Sequence, residues 1–242
     1  MAKSKKEREE YKIVVGGEKS LAFGYDRLKD NMLYINADGK KRVIQVESSI
    51  QHEGKTTIAC NLAVCLGKTN KKVVVLDLDF RRPRVHRTFD RSVDDGLAEY
   101  ILGNLTLEQI IKATDYENVE IITRGARVYN SSLVFLSDKF KKLIAALKKK
   151  YDFVILDCPP VLQVSDYIHI SKVADGVLFV VAYGQTTKSQ AAEAVKEIKK
   201  NGTEIFGSVF SMCDKVGDDN YAYGYKYGYK YGYGYKDDEE NK

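Results

Sequence analysis

No stretch of this sequence is apolar for long enough to span a bilayer: the longest fully apolar run, Val177 to Tyr183, falls far short of the roughly 18 residues a membrane-crossing helix needs. The segment Met1 to Glu10 is charged along its length and lacks the apolar core and cleavage site of a secretory signal. Both absences point to a cytoplasmic protein. Cysteine is scarce, and Cys60, Cys65, Cys158 and Cys213 include no Cys-x-x-Cys pair. Cys60 and Cys65, five apart on an expected helix, would point in different directions, so all four read as ordinary reduced thiols. Concentrated charge is missing too. The formal net charge is +5, with Lys and Arg dispersed among 34 acidic residues, which gives nucleic acid or a membrane surface no basic block to bind.

What is present is enough for one α/β domain with a substantial core: 242 residues, 44% of them hydrophobic. Short β-branched runs alternate with helical periodicity at Val43 to Val46, Val73 to Leu76, Val119 to Ile122, Phe153 to Leu156, Val177 to Val181 and Ile205 to Phe210. That alternation predicts a mostly parallel sheet flanked by helices. The runs 73–76 and 177–181 are apolar at nearly every position and are expected in its interior, covered on both faces. A crossover helix is expected after Thr187, which can cap it while Gln190 reaches back, and it should end near Asn201 and Gly202.

The C-terminal segment differs in kind. Tyrosine occupies every second position at Tyr221, Tyr223, Tyr225, Tyr227, Tyr229, Tyr231, Tyr233 and Tyr235, with Gly, Lys or Ala between. No second apolar face exists, so a disordered, tyrosine-rich tail is expected rather than a core strand. The organisation read from the chain is a charged arm over 1–18, a P-loop domain over 19–214 and a tail over 215–242.

The strand 43–46 runs through Ser48-Ser49-Ile50-Gln51-His52-Glu53-Gly54-Lys55-Thr56-Thr57 into a helical stretch, the order of strand, loop and helix that a P-loop requires. In such a loop, backbone N–H groups at the helix start hold phosphate oxygens, a Lys reaches the β- and γ-phosphates, and a hydroxyl ligates magnesium. Glu53, Gly54, Lys55, Thr56 and Thr57 are the binding candidates, although Ser49 stands where the general pattern has its first Gly. An NTPase of this kind also needs acids at strand ends to hold the metal and its waters. The run 73–76 delivers Asp77-Leu78-Asp79, and the run 153–156 delivers Asp157-Cys158-Pro159-Pro160. A strand-end turn is the bland reading of any one of these acids; three sites in the right order outweigh it.

The segment Val73 to His86, with Asp77, Asp79, Arg81, Pro83 and His86 in their places, resembles the second acidic motif of the bacterial tyrosine kinases of capsule and exopolysaccharide synthesis. Further matches are Gly96-Leu97-Ala98-Glu99, Asn118-Val119-Glu120 leading to Gly125, Asp157-Cys158-Pro159-Pro160, Asp175-Gly176-Val177-Leu178 and the terminal tyrosines. The resemblance implies a deviant-Walker P-loop fold and an ATP- and Mg²⁺-dependent kinase that phosphorylates its own tail. It also implies a membrane-spanning adaptor that recruits the chain to the inner face of the membrane, a cognate tyrosine phosphatase and a homo-oligomer. On this carry-over Asp77 orients or deprotonates the attacking tyrosine, Lys55 assists transfer, and Thr56, Asp79 and Asp157 serve the metal; the roles of the three acids are interchangeable. Arg81 is read as either a phosphate contact or a structural salt bridge, and His86 as a packed histidine.

Departures from the family pattern are confined to a few positions. Gln51 and His52 replace Pro and Gly, Tyr129-Asn130-Ser131-Ser132 replaces a Pro-rich stretch, and Ser211-Met212 replaces Asn-Lys, which alters the expected adenine pocket. Phe23, Asp26 and Lys29 align with a Glu-Arg-Arg oligomerisation motif, so a closed ring does not follow. Two competing readings accompany the kinase: a nucleotide-binding pseudokinase scaffold, and a partition or septum-positioning type ATPase.

Overall fold

The structure, a computed structural model, describes Ile13 and residues 19–213. The tyrosine cluster, the expected tail and, apart from Ile13, the expected arm therefore lie outside the described residues. Helix α1 (Lys19–Ile35) leads into β1 (Val43–Ser48), α2 (Lys55–Gly67) and β2 (Val73–Asp77). Three short helices follow, α3 (Val85–Thr88), α4 (Leu97–Leu102) and α5 (Leu107–Ile110), and then β3 (Ile111–Ala113) and β4 (Val119–Ile122). The remainder is α6 (Ser131–Leu136), α7 (Asp138–Lys150), β5 (Phe153–Asp157), α8 (Asp166–Ile170), β6 (Gly176–Ala182), α9 (Lys188–Lys200) and β7 (Ile205–Ser211).

These strands form one sheet in the order β3-β4-β2-β5-β1-β6-β7. Every pair is parallel except β3 with β4. The two runs expected in the interior are there, β2 between β4 and β5, and β6 between β1 and β7. Strand β3 has no counterpart in the sequence reading, because three residues are too few to display a period.

Alternation along β2 and β5 feeds a core on each face of the sheet. Val73, Val75, Phe153 and Ile155 face α2, while Val74, Leu76, Val154 and Leu156 face Phe135, Phe140, Leu143 and Leu147 on the other side. Helix α2 is buried along almost its whole length, because α1 covers its outer side with Tyr25, Leu28 and Met32. Thr187 caps α9 through the Gln190 amide N–H at 3.2 Å, and the Gln190 side chain accepts the Thr187 N–H at 3.0 Å. The helix ends at Lys200, before Gly202 at φ 76°, as the sequence predicts.

The Gly96-Leu97-Ala98-Glu99 and Gly125 matches have a common physical reason. Glu99 accepts hydrogen bonds from the Gly96 N–H at 2.8 Å and the Ala126 N–H at 2.9 Å, drawing α4 against the chain that leaves β4. A Cβ on Gly96 would stand 2.2 Å from the Thr123 carbonyl oxygen and 2.5 Å from the Gly125 nitrogen, both backbone atoms that cannot swing aside. Gly96→Ala is expected to destabilise the fold by about 3 kcal/mol, an overpacking cost. A lowered urea midpoint with an unchanged slope would bear this out; an unchanged midpoint would contradict it.

Candidate active site

The loop between β1 and α2 turns through two left-handed residues, His52 at φ 66° and Gly54 at φ 90°. Histidine is among the non-glycine residues that tolerate this conformation, which is how the chain dispenses with glycine at position 52. The His52 Nε2 stands 3.2 Å from a guanidinium nitrogen of Arg82, across the site. Glu53 turns inward, fully buried: it accepts the Ile50 N–H at 2.5 Å and the Thr186 hydroxyl, bracing the loop from beneath. Its side chain is thus part of the loop's support, while the backbone at 53–57 forms the rim. The Ser211 hydroxyl donates to the Glu53 carbonyl at 2.6 Å, and half-exposed Met212 lines the cavity mouth.

Lys55 opens α2, and its ammonium donates to the Ser48 hydroxyl at 2.9 Å. Next to it the Thr56 hydroxyl donates to Asp157 Oδ2 at 2.6 Å. Asp157 and Asp77 end adjacent strands in direct register, so their carboxyls emerge side by side at the same edge of the sheet. Asp77 Oδ2 accepts the N–H groups of Arg84 at 2.9 Å and Val85 at 3.0 Å. One buried oxygen of each, Asp77 Oδ1 and Asp157 Oδ1, has no hydrogen-bond partner. Burial and then the neighbouring Asp157 charge hold Asp77 well above the usual carboxylate range. Burial pushes Asp157 up to about 7, against the pull of Thr56 and Lys55.

Asp79 completes the group and lines the cavity together with His52, Thr56, Thr57, Arg82 and Arg84. Its Oδ1 accepts the N–H groups of Arg81 at 3.1 Å and Arg82 at 2.8 Å. Crowded acids with free oxygen lone pairs beside a hydroxyl are a hard-oxygen donor set, suited to a small divalent cation that keeps part of its water shell. The Arg81 guanidinium meets Asp166 at 2.8 Å, which favours the salt-bridge reading of Arg81 over the phosphate contact. On α1, Lys29 pairs with Asp26 at 3.5 Å and Asp30 at 3.2 Å, within its own helix.

Two residues important here were not singled out in the sequence. Glu47 is a fully buried carboxyl in β1, where a charged residue directly after the run Val43 to Val46 was the available signal. Asp166 begins α8, and nothing local to it in the sequence announces its partners.

A family model described as an AAA domain matches residues 41–206. The tyrosine-protein kinase YwqD of Bacillus subtilis is 31% identical over 187 residues, which are 77% of this chain and 79% of that protein. The tyrosine-protein kinase wzc of Salmonella typhimurium is 27% identical over 214 residues, 87% of this chain but 30% of that protein. Among solved structures, the chimerical protein CapA2B2 superposes with a TM-score of 0.78 at 28% identity, covering 82% of this chain and 88% of that one. The septum site-determining protein MinD of Pyrococcus horikoshii, complexed with Mg-ADP, reaches 0.60 at 28% identity, covering 70% and 69%.

Glu47 gives a test by pH. Burial raises its carboxyl from 4.5 to about 8, so the folded protein keeps a proton that the unfolded chain releases. A raised acid loses stability as pH rises: the loss grows between about pH 4.5 and 8 and levels off above. Glu47→Gln, which has no proton to release, should match the parent near pH 4.5 and exceed it increasingly up to pH 8 in urea unfolding. A difference that stays constant across this range would contradict the assignment.

Proposed function

Because the chain belongs to the bacterial tyrosine-kinase family, we propose that it is an ATP-dependent protein-tyrosine kinase that regulates capsular or exopolysaccharide biosynthesis and phosphorylates its own C-terminal tyrosines, Tyr221 to Tyr235. The observation that carries this reading is the convergence of Lys55, Thr56, Asp77, Asp79 and Asp157 at the carboxyl ends of β1, β2 and β5. ATP and Mg²⁺ are the proposed cofactors, the ion supplying neutralisation of the phosphate oxygens.

The parts are allotted as follows. Backbone N–H groups at 53–57 and the start of α2 would receive the phosphates, and the Lys55 ammonium, which donates to Ser48 here, would serve the β- and γ-oxygens. Thr56, Asp157 and Asp79 would hold the ion and its waters. The Arg84 and Val85 N–H groups occupy Asp77 Oδ2 and leave Oδ1 unpartnered; once the positive charge of a bound ion had drawn off the proton that burial favours on Asp77, this carboxylate would orient the attacking tyrosine hydroxyl or accept its proton. The phenolic oxygen forms the new P–O bond, the bond to the β–γ bridging oxygen breaks, and ADP leaves. The kinase domain spans 19–214, with 1–18 an arm and 215–242 the substrate tail.

The proposed setting is the inner face of the cell membrane. Among the described residues no helix is long and apolar enough to cross a bilayer, and the match to wzc covers only part of that longer protein. A separate membrane-spanning adaptor is the proposed counterpart, with a cognate tyrosine phosphatase and a homo-oligomer completing the system. His52 in the phosphate loop favours one second reading, a nucleotide-binding scaffold without transfer. The septum-positioning ATPases are more distant in structure than the kinases.

Purified protein with radiolabelled ATP and Mg²⁺ should label slowly alone and faster with the adaptor's cytoplasmic segment. Lys55→Met should abolish the label without unfolding, and phosphotyrosine mapping should fall on 221–235. Label confined to Tyr100 or Tyr151 would sink the tail assignment, and nucleotide binding without label would leave the scaffold. Asp77→Asn should lower kcat at least a hundredfold with Mg-ADP affinity retained, as loss of a general base requires.

A further inference from the structure

We infer that Asp166, far from the nucleotide loop in sequence, is a positioning residue for this site, acting on Asp79 through Arg81. Its carboxylate is buried, 1% exposed, and takes hydrogen bonds from two separate segments. Oδ2 accepts from the Arg81 guanidinium at 2.8 Å and the Ser131 hydroxyl at 2.7 Å, and Oδ1 accepts from the Ser132 hydroxyl at 2.9 Å. A buried carboxylate is costly unless it is met by donors of this kind, and here a cation and two hydroxyls meet it. The anchor is therefore firm.

What it holds is the turn after β2. The guanidinium of Arg81 is tied to Asp166 while the backbone N–H of the same residue donates to Asp79 Oδ1 at 3.1 Å, with the Arg82 N–H beside it at 2.8 Å. The contacts run without a gap from Asp166 to the Arg81 side chain, to the Arg81 amide and to the Asp79 carboxylate. Arg81 has about half its side chain in solvent, and an ion pair with both partners so exposed would contribute little. The burial of Asp166 makes the difference, because it fixes the carboxylate that the guanidinium must follow. Ser131 and Ser132 begin α6, so the same carboxylate also joins that helix to the turn. Residues that orient a metal-facing carboxylate in this way commonly alter metal affinity about 10- to 100-fold when replaced.

This inference rests on the kinase reading for its effect on transfer, but it also has a measure independent of transfer. The test uses the full chain with Asp166→Asn, Arg81→Ala, Arg81→Lys and the double variant Asp166→Asn/Arg81→Ala. The Mg²⁺ concentration that half-saturates ADP binding, read by calorimetry, should rise about tenfold in Asp166→Asn and in Arg81→Ala, and less in Arg81→Lys. Tyrosine phosphorylation should lose about tenfold in kcat with KM for ATP within about twofold. The double variant should be no worse than Arg81→Ala, since both lie on one line of contacts. A merely structural Asp166 would lower the melting temperature while leaving the Mg²⁺ midpoint and kcat of the folded protein within twofold of the parent, and that result overturns the inference. So does a double variant whose losses multiply. Should Asp166→Asn not fold, Arg81→Ala decides by the same two readouts. If the parent labels no tyrosine, the kinase reading fails, while the Mg²⁺ midpoint still decides on Asp166.

Discussion

The register of β2 against β5 is the constraint on which the site depends. Pairing Asp77 with Asp157 across a parallel ladder forces two carboxyls together in a place with little water. Neither can hold its charge there at ordinary cost, and both are driven toward the protonated form. A sheet alone would avoid such a pair. The proposed nucleotide-bound ion would relieve this pair, and the nearby Lys55 and Thr56 are arranged around the same point.

Around this pair the fold behaves as a rigid frame carrying short, braced loops. The phosphate loop is secured from below by Glu53 and from the far strand by Ser211, and the turn after β2 is secured at Asp79 by two amides. Alternating strand residues lock β2 and β5 into both cores, so the strand ends that carry the acids have little freedom to shift. Precision at the site comes from the cores rather than from the loops themselves.

Much of this was legible in the sequence because its signals are local. Six strands announced themselves as β-branched runs, the phosphate loop by its Gly-Lys-Thr between strand and helix, and the acids by their place at strand ends. The cap and stop of α9 were readable from Thr187, Gln190 and Gly202 for the same reason. Long-range relations were not legible. Nothing near Asp166 shows that it meets Arg81 and the serines of α6, and nothing in Glu53 distinguishes a side chain turned inward from one turned to phosphate. The positive φ at His52 is a property of the backbone that the residue's identity alone does not announce.

Strand order has a consequence for how the protein is made. Val43 of β1 lies beside Val154 of β5, and β5 separates β1 from β2 although both precede it in the chain. During synthesis, a ribosome that has reached Lys150 has produced β1 and β2 with open edges and no strand to fill the gap between them. Such edges invite wrong pairing, either with each other or with another nascent chain. The interval before β5 emerges is thus the vulnerable one, and the closure of long loops that follows makes folding slow relative to a helical protein of this size.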